Sequence, residues 1–317
     1  MLMASTSPPD RTIVSAAPPR VNAKAGVRIH DAPSNTIGEP LIGQNVISGN
    51  TDEGVLLEGA DSTWNVLQHY LIGPDPGGKN SVGSQIEGVV ILDASNNTIG
   101  PGNVISGNDD DGIYLAHTDE DGAATGNTII GNKIGSDENG EARLENGGDG
   151  IGDLDAAANH IGRGPRPTSL SGDANLISGN AGHGVALVDT EVGASGANFV
   201  QGNLIGTDRT GAAGLGNLQN GVFIHGQTYN IIGRVPEGGE VSEAGNVISG
   251  NGAHGIFVQD GSDNEVRHNI IGLDSAGEAD LGNASTGIRI ADSADNKVIG
   301  GNLISGNEEA GVELVGS

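Results

Sequence analysis

The residues best equipped for chemistry stand one place before a recurring glycine. In chain order they are Ala25, Glu53, Glu87, Asp111, Asp149, His183, Asn220, His254, Thr286 and Ala310. Four carboxylates followed by a histidine could exchange protons if the fold set them side by side. Like charges a few ångströms apart disfavour joint ionisation and raise one another's pKa values. Such groups are either offset by a cation or used as acid and base, and the plain alternative is a solvated acidic ridge. Two places after each glycine comes a second series: Arg28, Leu56, Val90, Tyr114, Gly152, Ala186, Phe223, Phe257, Arg289 and Glu313. The chain has one Trp, three Tyr and three Phe, so three aromatics in one series is a concentration. An outward apolar stripe is either an interaction surface or one covered by an insertion. Gly135–Asp149 is long enough to fold back over it. Left open, Tyr114, Phe223 and Phe257 would offer ring faces to sugars, with Glu87 and His254 beside them as hydrogen-bonding partners.

A third series is the Asp of the Ile-Gly-x-Asp strings: Asp75, Asp137, Asp208 and Asp274. Each precedes a glycine by three residues, at Gly78, Gly140, Gly211 and Gly277. Asp first and Gly fourth is the pattern of a type I turn. The alternative is calcium at the loop mouths, which needs six to eight oxygens. No loop has dense Asp spacing of that kind. His69, His117 and His160 show no metal-ligand spacing, and the absence of Cys excludes disulfides and thiolate metal sites.

What must position these residues is a repeat. Asn-x-Ile-Ser-Gly-Asn recurs at Asn45, Asn103, Asn175, Asn246 and Asn302. The glycines Gly26, Gly54, Gly88, Gly112, Gly150, Gly184, Gly221, Gly255, Gly287 and Gly311 each open an in–out–in run, such as Ile113-Tyr114-Leu115. Two more short strands follow in each turn, headed by Asn, as in Asn127-Thr-Ile129 and Asn132-Lys-Ile134. Three short strands per turn cannot bury their apolar faces alone, whereas stacked turns can. The expected fold is therefore all-β: a single-stranded right-handed parallel β-helix of about ten coils over residues 26–317, after an N-terminal extension at 1–25. At about 4.8 Å per coil the rod would be roughly 45–50 Å long. The Asn series are read as structural, since Asn tolerates bends and can bond the Asn above it. Asp153 is a misfit, standing where Leu115 and Leu187 lead one to expect an apolar inward residue. A one-residue bulge turning Leu154 inward would rescue it, because an unpartnered buried carboxylate is costly.

Composition narrows the partners. Lys and Arg total 14 against 41 Asp and Glu, a formal charge of -27. Nucleic acid is excluded on that balance, because phosphate binding needs a basic footprint. A polyanionic sugar would be repelled unless a cation bridged it. No run is long enough for a membrane span. Residues 1–20 lack the apolar core of a signal peptide. The chain stops at Ser317 with no segment over the last sheet edge, which leads one to expect a fragment without a C-terminal cap.

From about Val27 to Leu314 the repeat resembles the right-handed parallel β-helix repeat family, most specifically in Ile205-Gly206-Thr207-Asp208 with Gly211 and Ile271-Gly272-Leu273-Asp274 with Gly277. The resemblance implies an extracellular or surface protein. A narrower likeness is to polygalacturonase-type β-helix glycosidases, carried by Asp110-Asp111-Gly112-Ile113, Asp149-Gly150-Ile151 and Gly182-His183-Gly184. It implies Asp110, Asp111 and Asp149 as acid and base, supported by His183. Two departures weaken it. The lone Asp follows the Asp pair here instead of preceding it, and no basic string follows, Arg289 being the nearest candidate. The leading expectation is a module that binds a glycan or partner along its first-strand face. The rivals are a polysaccharide-cleaving glycosidase or lyase, for which a carboxylate pair is the needed equipment, and a structural scaffold.

Overall fold

The computed structural model describes residues 22–39, 44–118, 123–162, 174–193, 195–233 and 245–316. The expected N-terminal extension thus lies mostly outside the described residues. Among the described residues, three parallel sheets of ten, nine and nine strands run the length of the rod. No helix occurs among the described residues, so none could cross a membrane.

The first sheet sets the register. Its strands begin one residue after each expected glycine: Val27–His30, Val55–Glu58, Val89–Leu92, Ile113–Ala116, Ile151–Leu154, Val185–Val188, Val222–His225, Ile256–Gln259, Ile288–Ala291 and Val312–Val315. These strands number the coils 1 to 10. Equivalent positions pair throughout, for example Ile113 with Val89 and Ile151, and Tyr114 with Val90 and Gly152. Branched apolar residues favour such pleated, twice-covered strands. Their inward members, among them Ile113, Leu115, Val222 and Ile256, are fully buried in one continuous core.

Asparagine ladders hold the bends. Asn97, Asn127 and Asn159 are nearly or fully buried. The Asn97 backbone N–H donates to Asn127 Oδ1 at 2.9 Å, and the Asn127 N–H to Asn159 Oδ1 at 2.9 Å. Each amide nitrogen in turn donates to a carbonyl, as Asn127 does to Ala94 at 3.0 Å. The backbone at this bend is thereby satisfied where the chain leaves the first sheet.

On even-numbered coils the third bend carries a hairpin. Its tip is the Asp-to-Gly turn, closed by Gly78 N–H to Asp75 C=O and its equivalents at Asp137, Asp208 and Asp274. The hairpins bond to one another, Glu138 N–H to Gly78 C=O, Arg209 N–H to Gly140 C=O and Ser275 N–H to Gly211 C=O. Gly135–Asp149 is one of them. It stays at this corner instead of folding back over the aromatic stripe, and Tyr114 is left half-exposed.

Asp153 corrects the sequence expectation. No bulge forms: Asp153 pairs in register with Leu115 and Leu187, points inward and is 2% exposed. It is tolerated because it has partners. Gln227 Nε2 donates to Asp153 Oδ1 at 2.8 Å and Asn159 Nδ2 to Oδ2 at 3.3 Å.

Candidate functional site

Parallel register makes the pre-glycine series a real column, and the hydrogen bonds show how it is built. The Asp149 backbone N–H donates to Asp111 Oδ1 at 2.6 Å, and the His183 N–H to Asp149 Oδ1 at 2.5 Å. The Asn220 N–H donates to His183 Nδ1 at 3.1 Å, the His254 N–H to Asn220 Oδ1 at 3.0 Å and the Thr286 N–H to His254 Nδ1 at 3.2 Å. Each side chain accepts from the backbone of the next coil, without a break from coil 4 to coil 9. Glu87 lies half-buried beneath the start of the ladder, and Asp110 is exposed at its rim.

Glycine makes room for the carboxylates. A Cβ on Gly152 would collide with Asp111 Oδ2, and one on Gly182 with Asp149 Oδ1. The second oxygen of Asp111 therefore reaches over the bare outer face of coil 5. Burial pushes the Asp111 carboxyl up to about 7, helped by the charges of Asp149, Asp110 and Glu87. Burial likewise raises Asp149 to about 6, against the opposing effect of the His183 N–H. Glu87 is raised by burial and by the acids around it. The buried His183 imidazole is pushed down to about 4, so it stands neutral at pH 7. Two carboxyls that titrate near neutrality beside a neutral imidazole can give, take or share a proton.

The outward series lies alongside. Tyr114, Gly152, Ala186, Phe223 and Phe257 are in register on coils 4 to 8. Gly152 and Ala186 lower the surface between Tyr114 and Phe223, leaving a step two coils wide beside Asp111 and Asp149. Burial and the neighbouring acids raise the Tyr114 hydroxyl, which keeps it a hydrogen-bond donor at any ordinary pH. The Phe223 ring is less open than its place suggests. His183 stacks on it with centroids 4.7 Å apart, and His225, which its sequence position does not single out, stacks at 6.1 Å. Phe257 packs against Phe223 and His254, with the Arg289 guanidinium 5.7 Å from its centroid. Among the described residues, Tyr114 is thus the aromatic of the stripe whose ring no other ring covers.

The turn aspartates do something else. Asp137 Oδ1 accepts the Glu141 and Ala142 N–H groups, and Asp274 Oδ1 those of Glu278 and Ala279. Asp75 and Asp208 are tied in the same way. Hydrogen bonds to the charged form hold Asp75, Asp208 and Asp274 below the usual carboxylate range. These oxygens are committed to the turn, and calcium finds no support there. A shallow hollow on the second sheet, between Tyr229, Ile231, Asp263, Glu265 and Lys297, lies apart from the column, and its lysine is engaged by Glu265 at 3.3 Å.

Stacked parallel strands on three faces around one core define a right-handed parallel β-helix. Within that class, residues 20–145 and 216–317 match the family described as periplasmic copper-binding protein (NosD), and the chain belongs to it. No curated protein matches the chain. Among solved structures it is similar to a point mutant of the periplasmic alginate epimerase AlgG, at 14% identity and a TM-score of 0.40, over 86% of this chain and 60% of that one. This chain therefore spans less than two thirds of that relative. A double mutant of AlgG gives 12% identity and a TM-score of 0.45, over 92% of this chain and 73% of that one. The A-module of the mannuronan C-5 epimerase AlgE6 of Azotobacter vinelandii gives 15% identity and a TM-score of 0.30, over 87% and 79%. At such identities the likeness is one of fold.

The family's description speaks of copper, and the described residues do not fit a copper centre. No three His, Cys, Asp or Glu side chains converge among them. The chain has no Cys, and Met1 and Met3 lie outside the described residues. His183 and His254 each accept a backbone N–H at Nδ1 and stand two coils apart.

Proposed function

We propose that this protein binds a glycan along the outer face of its first sheet, centred on coils 4 to 6. One observation carries the reading. Asp111 and Asp149 fill the same structural role as Asn220, each accepting the next coil's N–H through one oxygen. A neutral amide suffices for that role, so the negative charge, retained at a burial cost, is surplus to the architecture. Buried and crowded carboxylates of that kind are candidates for ligand contact. Beside them lie Tyr114 and the Gly152–Ala186 step. The rise of about 4.8 Å per coil is close to the repeat of a sugar chain. Ring faces stack on the apolar side of a pyranose while the carboxylates accept its hydroxyls. A neutral sugar fits best, because the described residues of coils 4 to 6 offer no cation on this face to hold a uronate. The family's description supports a location outside the cytoplasm.

A second reading has its own support. Carboxyls poised near 6 and 7 are suited to acid–base cleavage or proton abstraction. A glycan array, with turnover assayed by reducing ends and by unsaturated products, tests both. For a binding module, Tyr114→Ala weakens binding by more than Asp111→Asn or Asp149→Asn. For an enzyme, either Asp change cuts turnover on the order of 10²–10⁴-fold and leaves binding. Absence of both binding and turnover on a broad array would leave the scaffold role.

A further inference from the structure

Two positions inside the rod break the repeat, and each explains the other. Asp153 interrupts the inward column of Leu115 and Leu187 on coil 5. Gln227, on coil 7, interrupts a column of small residues three places before each ladder asparagine, where Ala32, Ser62, Ala94, Ala124, Ala156 and Gly261 stand. The long amide reaches back two coils and meets the carboxylate, although the two residues are 74 apart in the chain. Gln227 Oε1 at the same time accepts from Asn198 Nδ2 at 2.9 Å, taking over a rung of the asparagine ladder.

We propose that Asp153, Gln227 and Asn159 form a pH-sensitive pin inside the rod: coils 5 to 7 are held most firmly while Asp153 is protonated, and an ionised Asp153, buried with no cation among the described residues beside it, loosens them. The setting is a closed cell. Asp153 is 2% exposed, while Gln227, Asn159 and Asn198 are fully buried. Ile161 and Val200 of the second sheet and Ile177 and Ile205 of the third belong to the apolar core at these coils. Among the described residues no cation faces the carboxyl. The charged group nearest it in effect is Asp189, which is itself buried and accepts from Ser195 N–H at 2.9 Å, while Asp155 is turned outward to Thr190 at 2.7 Å. Gln227, Asn159 and the Ala156 amide all donate to Asp153 and favour its charged form, but burial outweighs them and holds the carboxyl near 7. The unfolded value is near 3.9. The folded state therefore binds the extra proton between about pH 4 and pH 7, and stability falls as pH rises across that window.

The pin works without any ligand on the outer face, so its test is separate from that of glycan binding. Asp153→Leu with Gln227→Ala restores the repeat's own residues at both positions. Asp153→Asn keeps the shape and loses the titration. Thermal melting and amide hydrogen exchange are measured at pH 5 and pH 8 on wild type and both variants. Wild type should lose about 5–10 °C more than the double variant between pH 5 and pH 8. Its extra exchange at pH 8 should be confined to coils 5 to 7. Parallel pH profiles in wild type and the double variant, or exchange spread evenly along the rod, would overturn the proposal. If Asp153→Asn fails to fold, the double variant alone decides.

Discussion

Two side-chain ladders run along this rod, one inside a bend and one beside the first sheet. The inner ladder, through Asn97, Asn127 and Asn159, is made of buried neutral amides. The outer one, from Asp111 through Asp149 and His183 to Asn220, is built on the same principle, a side-chain acceptor meeting a backbone N–H one coil away. The inner ladder uses one residue type because an amide accepts at its oxygen and donates at its nitrogen at the same time, without charge, as a dry place requires. The outer ladder, half-buried, holds ionisable groups and still closes its hydrogen bonds. Where a fold needs only an acceptor and the chain supplies a carboxylate, charge is the feature left to explain.

The largest expected effect lies inside. Asn127→Ala removes the acceptor of the Asn97 N–H and the donor to Ala94 C=O at a fully buried position. Leaving such groups unpaired costs about 2–4 kcal/mol. Chemical denaturation should show that loss, together with a broader transition if the array splits at coil 4. A loss below about 1 kcal/mol would mean that water replaces the amide, and the two ladders would then differ less than their burial implies.

Asp111→Asn should have the opposite sign. The folded carboxyl sits near 7, well above the unfolded value near 3.9. The folded state therefore holds a proton that the unfolded state has released, and stability falls as pH climbs from about 4 to 7. The full shift corresponds to at most about 4 kcal/mol. Solvent screening at a half-buried site reduces the expectation to about 1–2 kcal/mol. The variant should thus melt higher than wild type at pH 8 and match it at pH 4. Equal melting at both values would mean that the charge is not held against the fold's preference, and the case for a ligand at Asp111 would weaken.

Much of this was legible in the sequence, for a physical reason. Every coil must turn at the same places, so Gly112 and its equivalents recur at fixed offsets, and inward positions such as Ile113 and Ile256 repeat because they share one core. Column membership of Asp111, Asp149 and His183 followed from spacing alone. Side-chain direction did not. That Asp111 Oδ1 reaches forward to the Asp149 N–H depends on rotamer and on the bare Gly152 beneath it. Ring packing was equally hidden: Phe223 is engaged by His183 and His225, which leaves Tyr114 as the freer ring. Asp153 was recognised as a misfit, but its rescue by Gln227 joins residues 74 apart, and only the number of intervening coils sets that distance. The signal was present in the small-residue column that Gln227 interrupts.

The smallest expected effect separates imidazole from amide within the outer ladder. His183→Asn gives coil 6 the residue that coil 7 already carries at Asn220. The Asn220 N–H can still find an acceptor, so the ladder should close. What is lost is the stack on Phe223, worth about 0.5–1 kcal/mol. The pH dependence should change as well, in the opposite direction to Asp111. His183 is held near 4 in the folded protein against about 6.5 unfolded, so it resists protonation, and wild type loses stability as pH falls from about 6.5 to 4. The variant should therefore melt slightly below wild type at pH 8 and draw level with it, or pass it, near pH 4. Melting curves at the two values suffice. If the deficit stays the same at both, the imidazole is not kept neutral by its place in the column. In that case His183 would carry charge at mildly acid pH beside Asp149, which would turn the acid–base assignment of the site around.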